Sequence, residues 1–373
     1  VYIGKYKDDK ERDELCKKYG GSVFGLTETT NIVIRNVTVA NSAQDGIFFG
    51  GLGLIPTRTY LENVVLDHHY RQAMSICNAD EVYCKNVTFS NTRGAAPSAG
   101  IDLEPPIECS PDSSIYLFDC TFDNNAGGGL VFATSTMYPV TLHAKRCHFK
   151  AQSQHAVDIL ARCGVYLGSQ RKAPAKIIFE ECDFESYSDV SPLCIQTCSL
   201  FDVWFRNCTI RDIGRKGPAN RAYTASPLVF RLSRDFGKDG IPEHMLGLIH
   251  FENVKIEGYG GQPFASFADE LGMLDIKGIL KGTVDFNGKQ VDVSQYEYTA
   301  PDRHEIPAEQ VDLKTLLKPA KIPTGDMPVS NGEISWNGAW YQKAPEYTYY
   351  FWAEQGRKVS LTLRYPAWLK RVA

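Results

Sequence analysis

The sequence predicts an all-β protein, a parallel β-helix followed by a small C-terminal β unit. The main observation is a repeat, as in "CKNVTFSNTRGAAPSAGIDL", where a short strand, a polar turn and a second short strand follow one another. A repeat of this kind without amphipathic helices between its strands is typical of a β-solenoid. The middle of the first strand recurs at intervals of 23 to 46 residues, at Val37, Val64, Val87, Cys120, Cys147, Cys182, Cys208 and Val254.

The pattern divides the 373 residues into four segments. Residues 1–21 form a charged lead-in, and residues 22–298 form the coil that carries the predicted catalytic site. Repeated prolines mark residues 299–330 as a connector. Residues 331–373 contain alternating runs such as "YTYYFWAEQGRKVSLTLRY", which predict a small β unit packing on the coil.

Two residue types mark fixed positions in each repeat. Cysteine replaces valine in the inward column of four repeats, and a buried free cysteine behaves as a small hydrophobic residue. We therefore expect reduced thiols rather than disulfides. Asparagines directly before this column predict a ladder of side-chain amides that hydrogen-bond from one repeat to the next. They are Asn36, Asn63, Asn86, Asn207 and Asn253.

Composition excludes some classes of partner. The formal net charge is -4 and the hydrophobic fraction is 43%, values ordinary for a globular protein and unfavourable for nucleic-acid binding. No apolar run approaches the ~20 residues of a membrane-spanning helix. The oligomeric state is left open by the sequence.

The run "SAGIDLEPP" raises the question of catalysis. Asp102 and Glu104 alternate with aliphatic residues, so both carboxylates share one face of a short strand. A solvated strand face is the ordinary structural explanation of such a pair. Aligning "GIDL" with "AVDI" places Asp158 in the outward column of Asp102, two repeats along. The Cα atoms of these two aspartates are then expected roughly 9.6 Å apart, and those of Asp102 and Glu104 roughly 6.7 Å apart.

These spacings favour an inverting glycosidase, in which carboxyl groups ~6.5–9.5 Å apart protonate the leaving oxygen and activate water. We predict Asp102, Glu104 and Asp158 as catalytic residues. Polar residues that precede the same strand in neighbouring repeats are predicted to bind the substrate. They are Asp45, Asp67, His69, Arg71 and His155.

The repeats, and above all the run "YRQAMSI…NVTFSNTRGAAPSAGIDLEPP", resemble the pectin-lyase-like right-handed parallel β-helix superfamily. Within it they look most like bacterial polysaccharide-degrading proteins related to polygalacturonase-type glycoside hydrolases. The resemblance implies a right-handed coil, a polysaccharide or oligosaccharide substrate in a groove along one sheet, and a secreted or periplasmic location.

Two other functions remain open from the sequence. In a polysaccharide lyase, His69, Tyr70 or Arg71 would abstract a proton beside a uronate, with calcium held by Asp102, Glu104 and Asp158. The second alternative is a non-catalytic glycan-binding or spike module. The hydrolase is expected to need no cofactor and no metal.

Overall fold

The structure is a computed structural model. In the coil it describes residues 21–51, 57–104, 113–134, 139–151, 165–169, 174–186, 191–196, 198–212, 226–232, 246–259, 263–269 and 276–296. Within the predicted lead-in, residues 10, 11, 14 and 18 are described and have helical backbone.

We call one complete turn of the coil a rung. The first sheet contains one short strand from each rung. Neighbouring strands are parallel wherever their register is described, and each pairs with the corresponding strand of the next rung. Its nine strands are Phe24–Thr27, Ile47–Gly50, Met74–Ile76, Ile101–Leu103, Leu130–Thr134, Val165–Ser169, Leu193–Gln196, Leu228–Leu232 and Ala265–Asp269.

The second sheet supplies the remaining walls of the coil. Its strands are also parallel from rung to rung, except that the last two pair antiparallel. A 3-10 turn over Val293–Gln295 follows the last strand. The fourteen strands are Ile32–Ala40, Arg58–Asp67, Glu81–Ser90, Ser113–Phe118, Thr121–Asp123, Val140–Lys145, His148–Ala151, Ala175–Glu180, Asp183–Ser186, Cys198–Arg206, Thr209–Asp212, Leu246–Glu257, Leu280–Phe286 and Lys289–Asp292.

The predicted asparagine ladder is confirmed. All five asparagines have φ between 51° and 54°, the left-handed conformation that asparagine tolerates better than most residues. Three of the side chains donate to the asparagine before them, with Nδ2–Oδ1 distances of 3.0 Å for Asn63 to Asn36 and 2.8 Å both for Asn86 to Asn63 and for Asn253 to Asn207. In two successive intervening rungs Asp119 and Arg146 take these positions and form a bidentate ion pair instead. The ladder therefore fixes the bend at which each rung changes direction.

The interior of the coil is filled by stacked columns. Phe149 lies between Phe122 and Phe184, with ring centroids 4.6 and 5.3 Å away. The inward cysteine column is confirmed, since its four thiols are free and nearly inaccessible. Val37 is the exception in the predicted inward column. It is 37% exposed because it belongs to the first rung of the second sheet, which has a paired rung on one side only.

The contacts of the chain separate a second compact unit, made of residues 232–240, 269–275 and 298–373. Its described strands form two three-stranded sheets: His304–Glu305 with Thr348–Trp352 and Lys358–Thr362, and Glu333–Trp336 with Ala339–Ala344 and Ala367–Lys370. The rest of the predicted connector lies outside the described residues. The predicted packing of this unit on the coil stays a prediction.

The described structure is almost entirely β, which confirms the predicted fold class. No helix in the described part of the chain is both long and apolar enough to cross a membrane.

Candidate active site

The central strand of the candidate site is Ile101–Leu103. Ile101 and Leu103 point into the core, and Asp102 takes the opposite face as the alternation predicts. Asp102 is nevertheless only 1% exposed, so a solvated face does not explain it. Glu104 follows the strand directly and is exposed. The two acids therefore share a segment of backbone but occupy different environments.

A glutamine in the neighbouring rung holds Asp102. Gln72 is fully buried, and its Nε2 donates to Asp102 Oδ2 at 2.6 Å. Within the described residues, the other oxygen of each side chain, Asp102 Oδ1 and Gln72 Oε1, has no hydrogen-bond partner. Buried polar atoms are rarely left unpaired, and exceptions often mark functional sites. The contact fixes the orientation of the Asp102 carboxyl group.

The surroundings of Asp102 favour its protonated form. Burial, reinforced by the charge of Glu104, raises the pKa of Asp102 to about 8, although Gln72 and Arg71 act in the opposite direction. Partial desolvation of its carboxyl group also raises the pKa of Glu104, although the residue is exposed, while Arg71 lowers it. Because two nearby carboxyl groups resist joint ionisation, the proton is held by the more buried one. Near neutral pH these surroundings favour the protonated form of Asp102.

An ion pair spans the two rungs that precede Asp102. Arg71 donates from Nε to Asp45 Oδ1 at 2.9 Å and from Nη2 to Asp45 Oδ2 at 2.7 Å. Asp45 is 1% exposed, whereas the Arg71 side chain is 37% exposed. The backbone N–H of Gln72 also donates to Asp45 Oδ1, at 3.3 Å. Asp45, Arg71, Gln72, Asp102 and Glu104 thus form one polar cluster across three rungs.

Two predicted substrate-binding residues have contacts elsewhere. His69 is 1% exposed, and its Nδ1 lies 2.7 Å from Ser42 Oγ. Burial lowers the pKa of His69 to about 4, so it is neutral near physiological pH. Asp67 accepts from Ser90 Oγ at 2.7 Å and lies 2.5 Å from Nδ1 of His68. Neither set of contacts joins these residues to the acid pair.

The predicted register of Asp158 is wrong. Val131 pairs with Asp102 on one side and with Tyr166 on the other, so Tyr166 occupies the position two rungs from Asp102. The match between "GIDL" and "AVDI" failed because the segment before strand Val165–Ser169 contains more residues than the alignment assumed. Asp158 and His155 themselves lie outside the described residues. The described column therefore does not contain the predicted Asp102–Asp158 pair.

The prediction of site residues missed Gln72. It occupies the position before the small residue Ala73, as Asp45 does before Gly46, so the alignment of the repeats contained the signal. Among the described residues, no group of three or more His, Cys, Asp or Glu side chains is arranged to hold a metal ion.

Residues 17–163 match the family model described as "Right handed beta helix region". Together with the parallel sheets, this match identifies the fold as a right-handed parallel β-helix of the pectin-lyase-like type. The comparisons with curated proteins and with solved structures gave no match. Right-handed β-helix domains occur in some polysaccharide-degrading enzymes. The closer resemblance to bacterial polysaccharide-degrading proteins stays a prediction.

Proposed function

We propose that the protein is a glycoside hydrolase that cleaves a polysaccharide or an oligosaccharide with Asp102 as proton donor and Glu104 as the ionised carboxylate. The observation that carries the proposal is the contrast between the two acids: Asp102 is buried with its pKa raised to about 8, and Glu104 is exposed. Glycosidases need such a pair, because one group must hold a proton near neutral pH and the other must not.

The structure changes the expected stereochemistry. Inversion was predicted mainly from a pair of aspartates two rungs apart, and the register of the first sheet removes that pair. The Cα atoms of Asp102 and Glu104 are two residues apart on one extended segment, roughly 6.7 Å. Retaining enzymes place their carboxyl groups ~5–5.5 Å apart, which side chains on one face can reach by leaning together. We therefore propose retention, with Glu104 as the nucleophile.

The burial of Asp102 sets a requirement on substrate entry. A general acid must come within hydrogen-bond distance of the leaving oxygen, and a side chain that is 1% exposed cannot do so. The proposal therefore requires the groups that cover Asp102 to move aside when the substrate binds. Glu104 and Arg71 are already accessible and would make the first contacts.

The arrangement of two of the three possible bases, His69 and Arg71, disfavours the lyase alternative, in which Tyr70 stays the remaining candidate. A lyase base must be unprotonated and reach the substrate. The hydrogen bonds to Asp45 raise the pKa of Arg71, which keeps the guanidinium protonated. His69 is neutral, but it is buried and turned towards Ser42. Neither residue is placed to abstract a proton from a polymer.

A screen of soluble glycans tests the proposal. New reducing ends without ultraviolet absorption from an unsaturated uronate are expected from a hydrolase. Proton NMR of the first released sugar should show the anomeric configuration of the substrate. Unsaturated products would establish the lyase, and binding without turnover would establish a binding module. A polymeric substrate agrees with the secreted or periplasmic location, which stays a prediction.

A further inference from the structure

The charge of the candidate site is determined by three carboxyl groups and one guanidinium group. Asp45, Asp102 and Glu104 supply the carboxyl groups, and Arg71 supplies the positive charge. Among the described residues, Arg71 is the cation found to act on Glu104 and on Asp102. Acidic groups therefore outnumber basic groups in the described part of the site.

The positive charge of Arg71 is already compensated. Its Nε and Nη2 are both directed at a carboxylate that is 1% exposed, in the fork geometry that gives the strongest arginine pairs. A substrate carboxylate would have to compete with Asp45 for the guanidinium group. It would also approach the exposed Glu104, whose charge is not neutralised by a direct ion pair among the described contacts.

We infer that the site selects a neutral glycan and rejects sugars that carry a carboxylate or a sulfate at the bond to be cleaved. The inference rests on the proposed function, because it names the substrate class of the same site. Like charges brought together across a binding interface are strongly unfavourable, so the discrimination arises from repulsion by Glu104. Hydroxyl groups of a neutral sugar can still accept from the exposed part of Arg71 and donate to Glu104.

The test compares matched polysaccharides that differ only in charge. A glucan, a mannan and a galactan are each assayed beside their C6-oxidised forms, in which primary alcohols have become carboxylates. Binding is measured on the full chain carrying Asp102→Asn, which should not cleave the polymer and keeps the charge of a protonated Asp102. We expect the neutral form of the bound glycan to bind at least about tenfold more tightly than its oxidised form.

Two variants separate the role of Arg71 from general charge effects. Asp45→Asn frees the guanidinium group, so the preference for the neutral form should fall by about tenfold. Asp119→Asn is the matched control, because Asp119 also forms a bidentate pair with an arginine of the next rung, Arg146, on the second sheet. It should leave the preference unchanged. If Asp45→Asn does not fold, the wild-type preference must shrink with added salt, since repulsion is screened.

The outcomes separate this inference from the proposed function. Equal or tighter binding of the oxidised forms would overturn the inference. If the enzyme also hydrolysed those forms, the proposed hydrolase function would still hold. Selective binding of a neutral form without turnover in the wild type would overturn the hydrolase and support the inference. Binding of no member of the panel would overturn both. A preference that does not respond to salt or to Asp45→Asn would also contradict the inference.

Discussion

The pKa of Asp102 predicts an unusual pH dependence of stability. In the unfolded chain an aspartate has a pKa of about 3.9, whereas burial raises the pKa of Asp102 in the folded protein to about 8. Between these values the folded state binds a proton that the unfolded state has lost. The free energy of unfolding therefore falls as pH rises. The contribution of Asp102 is fully present below about pH 4 and is lost as pH rises through about 8.

The size of the effect follows from the proton count. One proton bound in the folded state but not in the unfolded state costs roughly 1.4 kcal/mol of stability for each pH unit. Between about pH 5 and about pH 8 the loss assigned to Asp102 is therefore about 4 kcal/mol, slightly less than the full three units because the folded state is itself half deprotonated near pH 8. Asp102→Asn removes it, because asparagine has a similar shape, stays neutral and can still accept from Gln72 Nε2.

Urea unfolding of the wild type and of Asp102→Asn across this pH range provides the assay. Subtracting the two free energies of unfolding cancels the titration of groups common to both proteins. We expect the wild type to lose stability relative to the variant steadily up to about pH 8, with no further change well above it. A difference that stays constant from about pH 5 to about pH 8 would show that Asp102 titrates normally. That result would refute the assignment of Asp102 as a protonated acid.

Three further variants probe the core and the acid pair. Phe149→Ala should lower the free energy of unfolding by about 3–5 kcal/mol in urea titrations, because it leaves a cavity between stacked rings; a loss below about 1 kcal/mol would contradict the packing. Cys147→Ser should cost about 1 kcal/mol. The cost is small because the serine hydroxyl can replace the thiol as donor to Leu117 O, which lies 3.3 Å from Cys147 Sγ. Modification of Cys147 by a thiol reagent in the native wild type would contradict the burial of this residue. Gln72→Leu removes a donor that stabilises ionised Asp102, so carboxyl carbon NMR should show the Asp102 pKa rising further, and an unchanged titration would exclude the contact.

The periodic part of the fold was predictable from the sequence. Each rung repeats the same inward position and the same bend, so Cys147 in the column and Asn63 in the ladder could be placed without coordinates. The first rung departs from the pattern because it has a paired rung on one side only in the second sheet, which leaves Val37 exposed.

The site was predictable only in part. Alternation placed Asp102 on the outward face, but it could not show that this face is covered at Asp102. Burial depends on segments distant in the sequence, and it is burial that gives Asp102 its protonated state. The register of Asp158 was lost because an insertion between rungs leaves no mark in the alternation of a short strand. Gln72 was missed because its function depends on a single side-chain contact in the next rung.

The most direct test of the account uses the glycan that the screen identifies as the substrate. Its turnover is measured for three variants: Asp102→Asn, Glu104→Gln and the control Asp119→Asn. Removing a proton donor or a nucleophile should lower kcat at least about a hundredfold in each of the first two variants. The control should keep wild-type activity, and all three should unfold at urea concentrations close to that of the wild type near pH 5. Wild-type turnover by either Asp102→Asn or Glu104→Gln would contradict the proposed acid pair.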